Sequence, residues 1–411
     1  MVDLDTILTP WQRAGMSLGL GRIQALMTIL GNPQDKIPVI HVAGSNGKGS
    51  VCAYLSTILA TAGYRVGCHT SPHLVDWNER ICINNQPIAT DRLTTVLQNV
   101  QAASPEPLTK FELITAAAWS YFASEKVDIA VIEVGLGGRL DATNTVSTPL
   151  VSVITSISRE HWQQLGETIP EIAGEKAGII KQGCPVVIGQ LPIDATQVII
   201  QRAQELHAPC SQITPAIEVS PGQAQAEDLR YSLPLLGDIQ LHNSALAIAV
   251  INQLTTQGWQ ISPAQIQTGI ANTQWLGRMH LTEWQGQKLL VDGAHNPESA
   301  IALRKYVDRW QQPVTWVIGM LNTKEHLPIL QALLRPDDQV HLVPVPDEIT
   351  ATPAELMQVV RSIYPEMVAQ TYDDWPSGLT AAYEYSLPVV MSGSLYLLGD
   401  FYRLRQKSIK S

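Results

Sequence analysis

Three features of the sequence predict an α/β protein of two units, each built on a mostly parallel sheet. Short apolar runs alternate with stretches of helical period, and the runs are continuous rather than alternating, as strands buried on both faces require. One strand leads through a glycine-rich turn directly into a helix. The strand series then starts afresh after Trp275. At 411 residues the chain is long enough for two domains with separate cores, and 45% hydrophobic with 16% charged residues is an ordinary globular composition, not a disordered or fibrous one.

The first strand is read at Val39 to Ala43. The segment Gly44-Ser45-Asn46-Gly47-Lys48-Gly49-Ser50 follows, and then Val51, Tyr54, Leu55, Ile58 and Leu59 recur at helical spacing up to Gly63. Further buried strands are expected at 65–68, 127–134, 150–155 and 184–188, with helix-like stretches between several of them. Residues 182–226 are polar, contain proline and show little periodicity, so they are expected to form a peripheral excursion. Beyond Trp275, strands at 289–292, 315–319, 340–343 and 389–391 predict a second, smaller α/β unit. The expected division is a first unit over 1–275, a hinge over 276–286 where Gly277 and Gly286 relieve the backbone, and a second unit over 287–411.

Lys and Arg number 27 against 37 Asp and Glu, a formal net charge of −10, which argues against nucleic acid or an anionic membrane as partner; anionic ligands need local devices. The five cysteines, Cys52, Cys68, Cys82, Cys184 and Cys210, are odd in number and never spaced C-x-x-C, against both a disulfide framework and a zinc ribbon. Met1 to Asp5 carries acids where an export signal needs a basic start, and no apolar run approaches the ~20 residues of a membrane span. A cytoplasmic protein is expected.

Local chemistry is concentrated at a few positions. The segment from Gly44 to Ser50 is a phosphate loop: glycines let backbone N–H groups converge on phosphate oxygens, the helix start adds partial positive charge, Lys48 adds a full one, and Ser50 offers a hydroxyl to Mg²⁺. Glu133 falls near the carboxyl end of a buried strand, where open α/β sheets place ligands, and needs either a cation or an ion pair such as one with Arg139. Lys176 shares a helical face with Ile169, Ile172 and Ala173, so it snorkels outward, pairs with a carboxylate or serves chemistry. His161 is a ligand or a structural hydrogen-bonder. Thr109 and Glu112 have capping-box spacing, which by itself explains both.

These segments together resemble the folylpolyglutamate synthase/dihydrofolate synthase family, relatives of the Mur ligases. The loop has the family's G-S/T-N-G-K-G-S form, and matches continue at Thr70-Ser71-Pro72-His73-Leu74, Asn78-Glu79-Arg80-Ile81, EVGLGGRLDATN from Glu133, Glu175-Lys176-Ala177-Gly178-Ile179, Gly277-Arg278-Met279, DGAHNP from Asp292 and GSLY from Gly393, spanning roughly residues 41–396. Two departures stand out: Glu160 replaces an Asp before His161, and Asn322-Thr323-Lys324-Glu325 lies where many relatives carry D-K-D.

The resemblance implies a Mur-ligase-like ATPase unit followed by a Rossmann-like unit. It implies ATP contacts from Gly44, Asn46, Gly47, Lys48, Gly49, Ser50, Arg278 and Asp292. Mg²⁺ ligands are implied at Ser50, Ser71 and Glu133, with a second ion at His161 and a carbamylated Lys176. His295 is placed near the reacting end, and Phe111, Glu112 and Asp141 at the folate substrate. The implied reaction transfers the γ-phosphate of ATP to the carboxylate of a reduced folate or dihydropteroate, after which the amine of L-glutamate displaces phosphate; closure of the two units would exclude water. A monomer is the expectation by resemblance. A Mur-type ligase would need a whole domain before the phosphate loop, and only 43 residues precede Gly44. A non-catalytic nucleotide binder is the other alternative, opposed by retention of Ser50, Glu133, His161, Lys176, Arg278 and Asp292 together.

Overall fold

The computed structural model describes residues 19–410; residues 1–18, with the acidic N-terminal stretch read above, and Ser411 lie outside the description. Two compact units divide the chain, Met1–Pro234 with Gln240–Gln274 and Leu235–Ile239 with Trp275–Ser411.

The first unit is organised by an eight-stranded sheet. Its strands are β1 (Val39–Ala43), β2 (Val66–His69), β3 (Ile81–Ile83), β4 (Gln86–Pro87), β5 (Ile129–Glu133), β6 (Val151–Ile154), β7 (Val186–Ile188) and β8 (Cys210–Gln212), in the order β4-β3-β2-β5-β1-β6-β7-β8. From β2 to β8 every neighbouring pair is parallel, and β3 and β4 add an antiparallel edge. All residues of β1, β5 and β6 are buried, which is why these strands read as continuous apolar runs. The helix Lys48–Thr61 is buried throughout Ser50 to Leu59, enclosed by the sheet and by the helix Pro263–Ala271.

Residues 182–226 are not the peripheral excursion that their polarity predicted. The helix Ile193–Glu205 buries Ala195, Ile199 and Ala203 at a spacing of four, packing them with Ile172 and Ala173, and β7 and β8 extend the main sheet on either side of it. Only β9 (Ile217–Ser220), β10 (Gln223–Ala226) and β11 (Leu229–Ser232) stand apart, as a small antiparallel sheet.

In the second unit β12 (His280–Trp284), β13 (Gln287–Asp292), β14 (Thr315–Ile318), β15 (Gln339–Leu342), β16 (Val368–Thr371) and β17 (Val389–Ser392) form a sheet ordered β12-β13-β17-β14-β15-β16. It is parallel except for the β12–β13 hairpin, so the middle of the segment expected as a hinge, His280–Trp284, is an edge strand. Its core gathers Leu303, Trp316, Ile318, Leu330, Leu342 and Val390.

Candidate active site

β1 lies between β5 and β6 at the centre of the first sheet, and the glycine-rich loop leaves its carboxyl end to begin the helix at Lys48. Gly47 has φ 84°, and a Cβ there would fall 2.4 Å from Asn243 Oδ1, so both the turn and the close approach require glycine. Lys48 Nζ curls over the loop and donates to the carbonyls of Gly44 (2.9 Å) and Ser45 (3.1 Å). The segment after β6 braces the loop from the side. Ser45 N donates to Ser156 O (2.8 Å), Asn46 N to Ser156 Oγ (2.9 Å), and Thr155 Oγ1 to Asn46 O (2.6 Å). Gly49 and Ser50 occupy the first helical turn; Ser50 is buried and its hydroxyl accepts from Gln240 Nε2 at 3.4 Å. Gln240 itself accepts from Asn243 Nδ2 at 3.1 Å.

Glu133 ends β5 directly beside Val42 of β1, which puts its carboxylate at the foot of the phosphate loop. The residue is 3% exposed, and Oε2 accepts from Ser71 N at 2.9 Å. Arg139, the partner that the sequence left open for it, pairs instead with Glu175 at 2.8 Å. Ser71 starts a loop ordered by Glu79, whose carboxylate accepts from the backbone N–H groups of Leu74, Val75 and Asp76. A hydroxyl from Ser50 and one buried carboxylate from Glu133 suit a magnesium ion, which characteristically takes few protein ligands and completes its shell with phosphate oxygens and water. Among the described residues no three His, Cys, Asp or Glu cluster as a metal cage.

Lys176 belongs to the helix Ile169–Ala177, which opens with a Thr168–Glu171 capping box. The residue is 1% exposed and its ammonium lies 3.2 Å from Glu160 Oε1, so the substitution that departs from the family pattern supplies its partner. Burial works to raise the Glu160 carboxyl, but Lys176, Lys48 and His161 outweigh it and hold it at about 2. Burial brings Lys176 down to about 8, against the pull of Glu160. His161 is exposed, with φ 47°, at the start of the short helix Trp162–Leu165. As folded, this group offers an ammonium where the second ion was expected, and an ammonium does not ligate a cation.

Phe111 and Glu112 lie in the first turn of the helix Lys110–Ser124, closed by the capping box that their spacing predicted: Thr109 Oγ1 accepts from Glu112 N (3.1 Å) and Glu112 Oε2 from Thr109 N (2.7 Å). Glu112 is 3% exposed, and Arg22 clamps it through Nε, 3.1 and 3.2 Å from its two oxygens. The Phe111 ring lies over Gly135, where a Cβ would fall 2.4 Å from the ring, and stacks on His69 with centroids 6.1 Å apart. Asp141 is buried with its oxygens engaged inside its own loop, accepting from Leu136 N (2.8 Å), Thr143 N (3.0 Å) and Thr143 Oγ1 (2.6 Å).

In the second unit the hairpin register, His280 opposite Val291, sets Arg278 and Met279 alongside Asp292. Asp292 Oδ2 accepts from Met279 N at 2.7 Å; burial raises its carboxyl to about 6, with Arg278 opposing. His295 Nδ1 and the carbonyl of Gly293 are 2.8 Å apart, and Asn296 caps the helix Pro297–Val307 by accepting from Ser299 N at 2.8 Å.

Sequence reasoning missed Arg22, the Thr155–Ser156 brace and the Gln240–Asn243 pair. Only the last had a signal, two amides three residues apart at the start of a helical run that turns apolar from Ala245 to Ile251. Among the described residues no helix is long and apolar enough to cross a membrane.

Comparison with known proteins matches residues 42–251 to the Mur ligase middle domain and residues 278–404 to the family described as the C-terminal domain of dihydrofolate synthetase. The chain is 34% identical to the dihydrofolate synthetase of Saccharomyces cerevisiae, over 96% of this chain and 100% of that protein. It is 35% identical to the dihydrofolate synthase/folylpolyglutamate synthase of Bacillus subtilis, over 94% of each. The Mycobacterium tuberculosis folylpolyglutamate synthase, solved with ADP and AMPPCP, superposes with a TM-score of 0.88 at 29% identity, covering 98% of this chain and 99% of that one.

Proposed function

The chain belongs to the folylpolyglutamate synthase/dihydrofolate synthase family of Mur-type ligases, and from that premise we propose that it joins L-glutamate to a folate-type carboxylate using ATP. The observation that carries the proposal is the phosphate loop of β1 standing beside buried Glu133 of β5, with Ser71 bonded to that carboxylate. Reduced folates and dihydropteroate are both assigned as acceptors; the relatives named for one or both activities support that breadth.

Lys48 and the loop N–H groups hold the γ-phosphate and offset the charge that develops as it passes to the acceptor carboxylate, giving an acyl phosphate. The amine of glutamate attacks the acyl carbon, phosphate leaves from the tetrahedral intermediate, and an amide, ADP and phosphate result. Ser50 and Glu133, with Ser71 beside them, would hold Mg²⁺, which when bound neutralises charge on the phosphate oxygens. Arg278 and Asp292 are assigned to the nucleotide, His295 to the reacting end, and Phe111, Glu112 and Asp141 to the acceptor. The Lys176–Glu160 pair as folded does not fit a second ion. Carbamylation of Lys176 would replace the ammonium by a carboxylate-like donor, and the intact mass of protein kept in bicarbonate tests for it.

The deciding assay is ADP release with Mg-ATP and L-glutamate, comparing dihydropteroate, tetrahydrofolate and no acceptor. Turnover with both acceptors is expected. Lys48→Ala is expected to lower it by at least about 10²–10³-fold; near-normal turnover in that variant would remove the phosphate-loop assignment.

A further inference from the structure

We propose that Arg22 is a positioning residue for the acceptor, acting through Glu112 on Phe111; this rests on the assignment of Phe111 to the acceptor made above.

Arg22 lies in the helix Gly21–Ile29, ahead of every motif that marks the site. Its guanidinium meets Glu112 through Nε at 3.1 and 3.2 Å and through Nη2 at 3.1 Å. The two side chains are 25% and 4% exposed, so the carboxylate is withdrawn from water and the arginine is what compensates it. Glu112 is also the residue that closes the start of its helix, by accepting from Thr109 N at 2.7 Å. One carboxylate therefore fastens the helix start both to its own cap and to a second helix.

Phe111 is the residue before Glu112 and cannot shift independently of it. Its ring is confined by Gly135 beneath and His69 beside it, yet it remains only partly buried, the arrangement of an aromatic face presented to a flat ligand. Leu20, adjoining the Arg22 helix, packs against the same apolar cluster as Phe111. The phosphate loop is braced by different residues, Thr155, Ser156 and Asn243. Loosening Arg22 should thus displace the acceptor platform and leave the nucleotide cradle in place; small misplacements of this kind are costly to substrate positioning.

The test measures KM for tetrahydrofolate, KM for ATP and kcat in wild type, Arg22→Met and Arg22→Lys. Arg22→Met is expected to raise the acceptor KM about tenfold or more, with the ATP KM and kcat within about threefold of wild type. Arg22→Lys should recover part of the loss. An unchanged acceptor KM in folded Arg22→Met overturns the proposal, as does a parallel rise of both KM values, the mark of a merely structural role. If Arg22→Met does not fold, Arg22→Lys decides alone: a selective rise of about threefold in acceptor KM supports the proposal and no rise overturns it. A wild type silent with every acceptor removes the assigned function, and this inference with it, whereas an active wild type confines any failure to Arg22.

Discussion

Arg304–Asp338 in the second unit and Lys176–Glu160 in the first are both buried ion pairs, held in very different company. Asp338, 2% exposed, accepts from Arg304 Nη1 (2.5 Å), Val314 N (3.0 Å), Trp316 Nε1 (3.0 Å) and Arg335 N (3.0 Å), while Arg304 also bonds Asp308 and the Leu333 carbonyl. The Lys176 ammonium has a single hydrogen bond, 3.2 Å long, among the described residues. Saturated hydrogen bonding makes the first pair a structural joint, because every polar atom withdrawn from water has an exchange partner. The second pair has donor capacity left over, as a group needs when it is to exchange partners.

Three substitutions sharpen or break this contrast. Arg304→Met leaves the Asp338 carboxylate buried without its cation and is expected to cost about 3–5 kcal/mol in a urea melt, with kcat/KM of the remaining folded enzyme little changed. A loss below about 1 kcal/mol would show that the bonds around Asp338 suffice without the arginine.

Asp292 is expected to show the next effect, and it depends on pH. Its folded pKa of about 6 lies above the ordinary value of 3.8, so the folded protein holds this proton more tightly than the unfolded chain does. The stability it contributes is complete below pH 3.8 and is lost as pH rises through about 6. Asp292→Asn, which keeps an acceptor for Met279 N, should therefore leave stability unchanged near pH 4 and raise it by about 2–3 kcal/mol at pH 8. Equal melting curves for the two proteins at pH 8 would remove burial as the governing influence on this carboxyl.

Lys176→Met should have the smallest effect on stability, under about 2 kcal/mol, since burial already disfavours the ammonium that is lost, which offsets part of the cost of leaving Glu160 unpaired. The same variant, which cannot carry the carbamate proposed for Lys176, should lose glutamate-dependent ADP release by about 10²-fold or more. A stability loss as large as that of Arg304→Met, with activity kept, would make the two pairs alike.

The contrast also explains what the sequence could tell. β1, its loop and Glu133 were legible because buried parallel strands are continuous apolar runs and a carboxylate at the end of one stands out. Lys176 stood out on the apolar face of its helix for the same reason. Asp338 did not: in Arg335-Pro336-Asp337-Asp338 it looks like any turn acid, and only the fold reveals that Arg304, Trp316 and Val314 converge on it. Arg22 and Glu112 are ninety positions apart, beyond any local pattern. Among the strands missed is the edge strand β8, Cys-Ser-Gln and wholly exposed, which is held by its neighbour's ladder rather than by an apolar face of its own.

The antiparallel margin of the first sheet has a consequence for life in a crowded solution. β4 is only Gln86 and Pro87, and proline has no N–H to offer a further strand. The long ladder behind it therefore ends in a stub on which a neighbouring or partly unfolded chain finds little to extend, and aggregation by strand addition is discouraged along that margin.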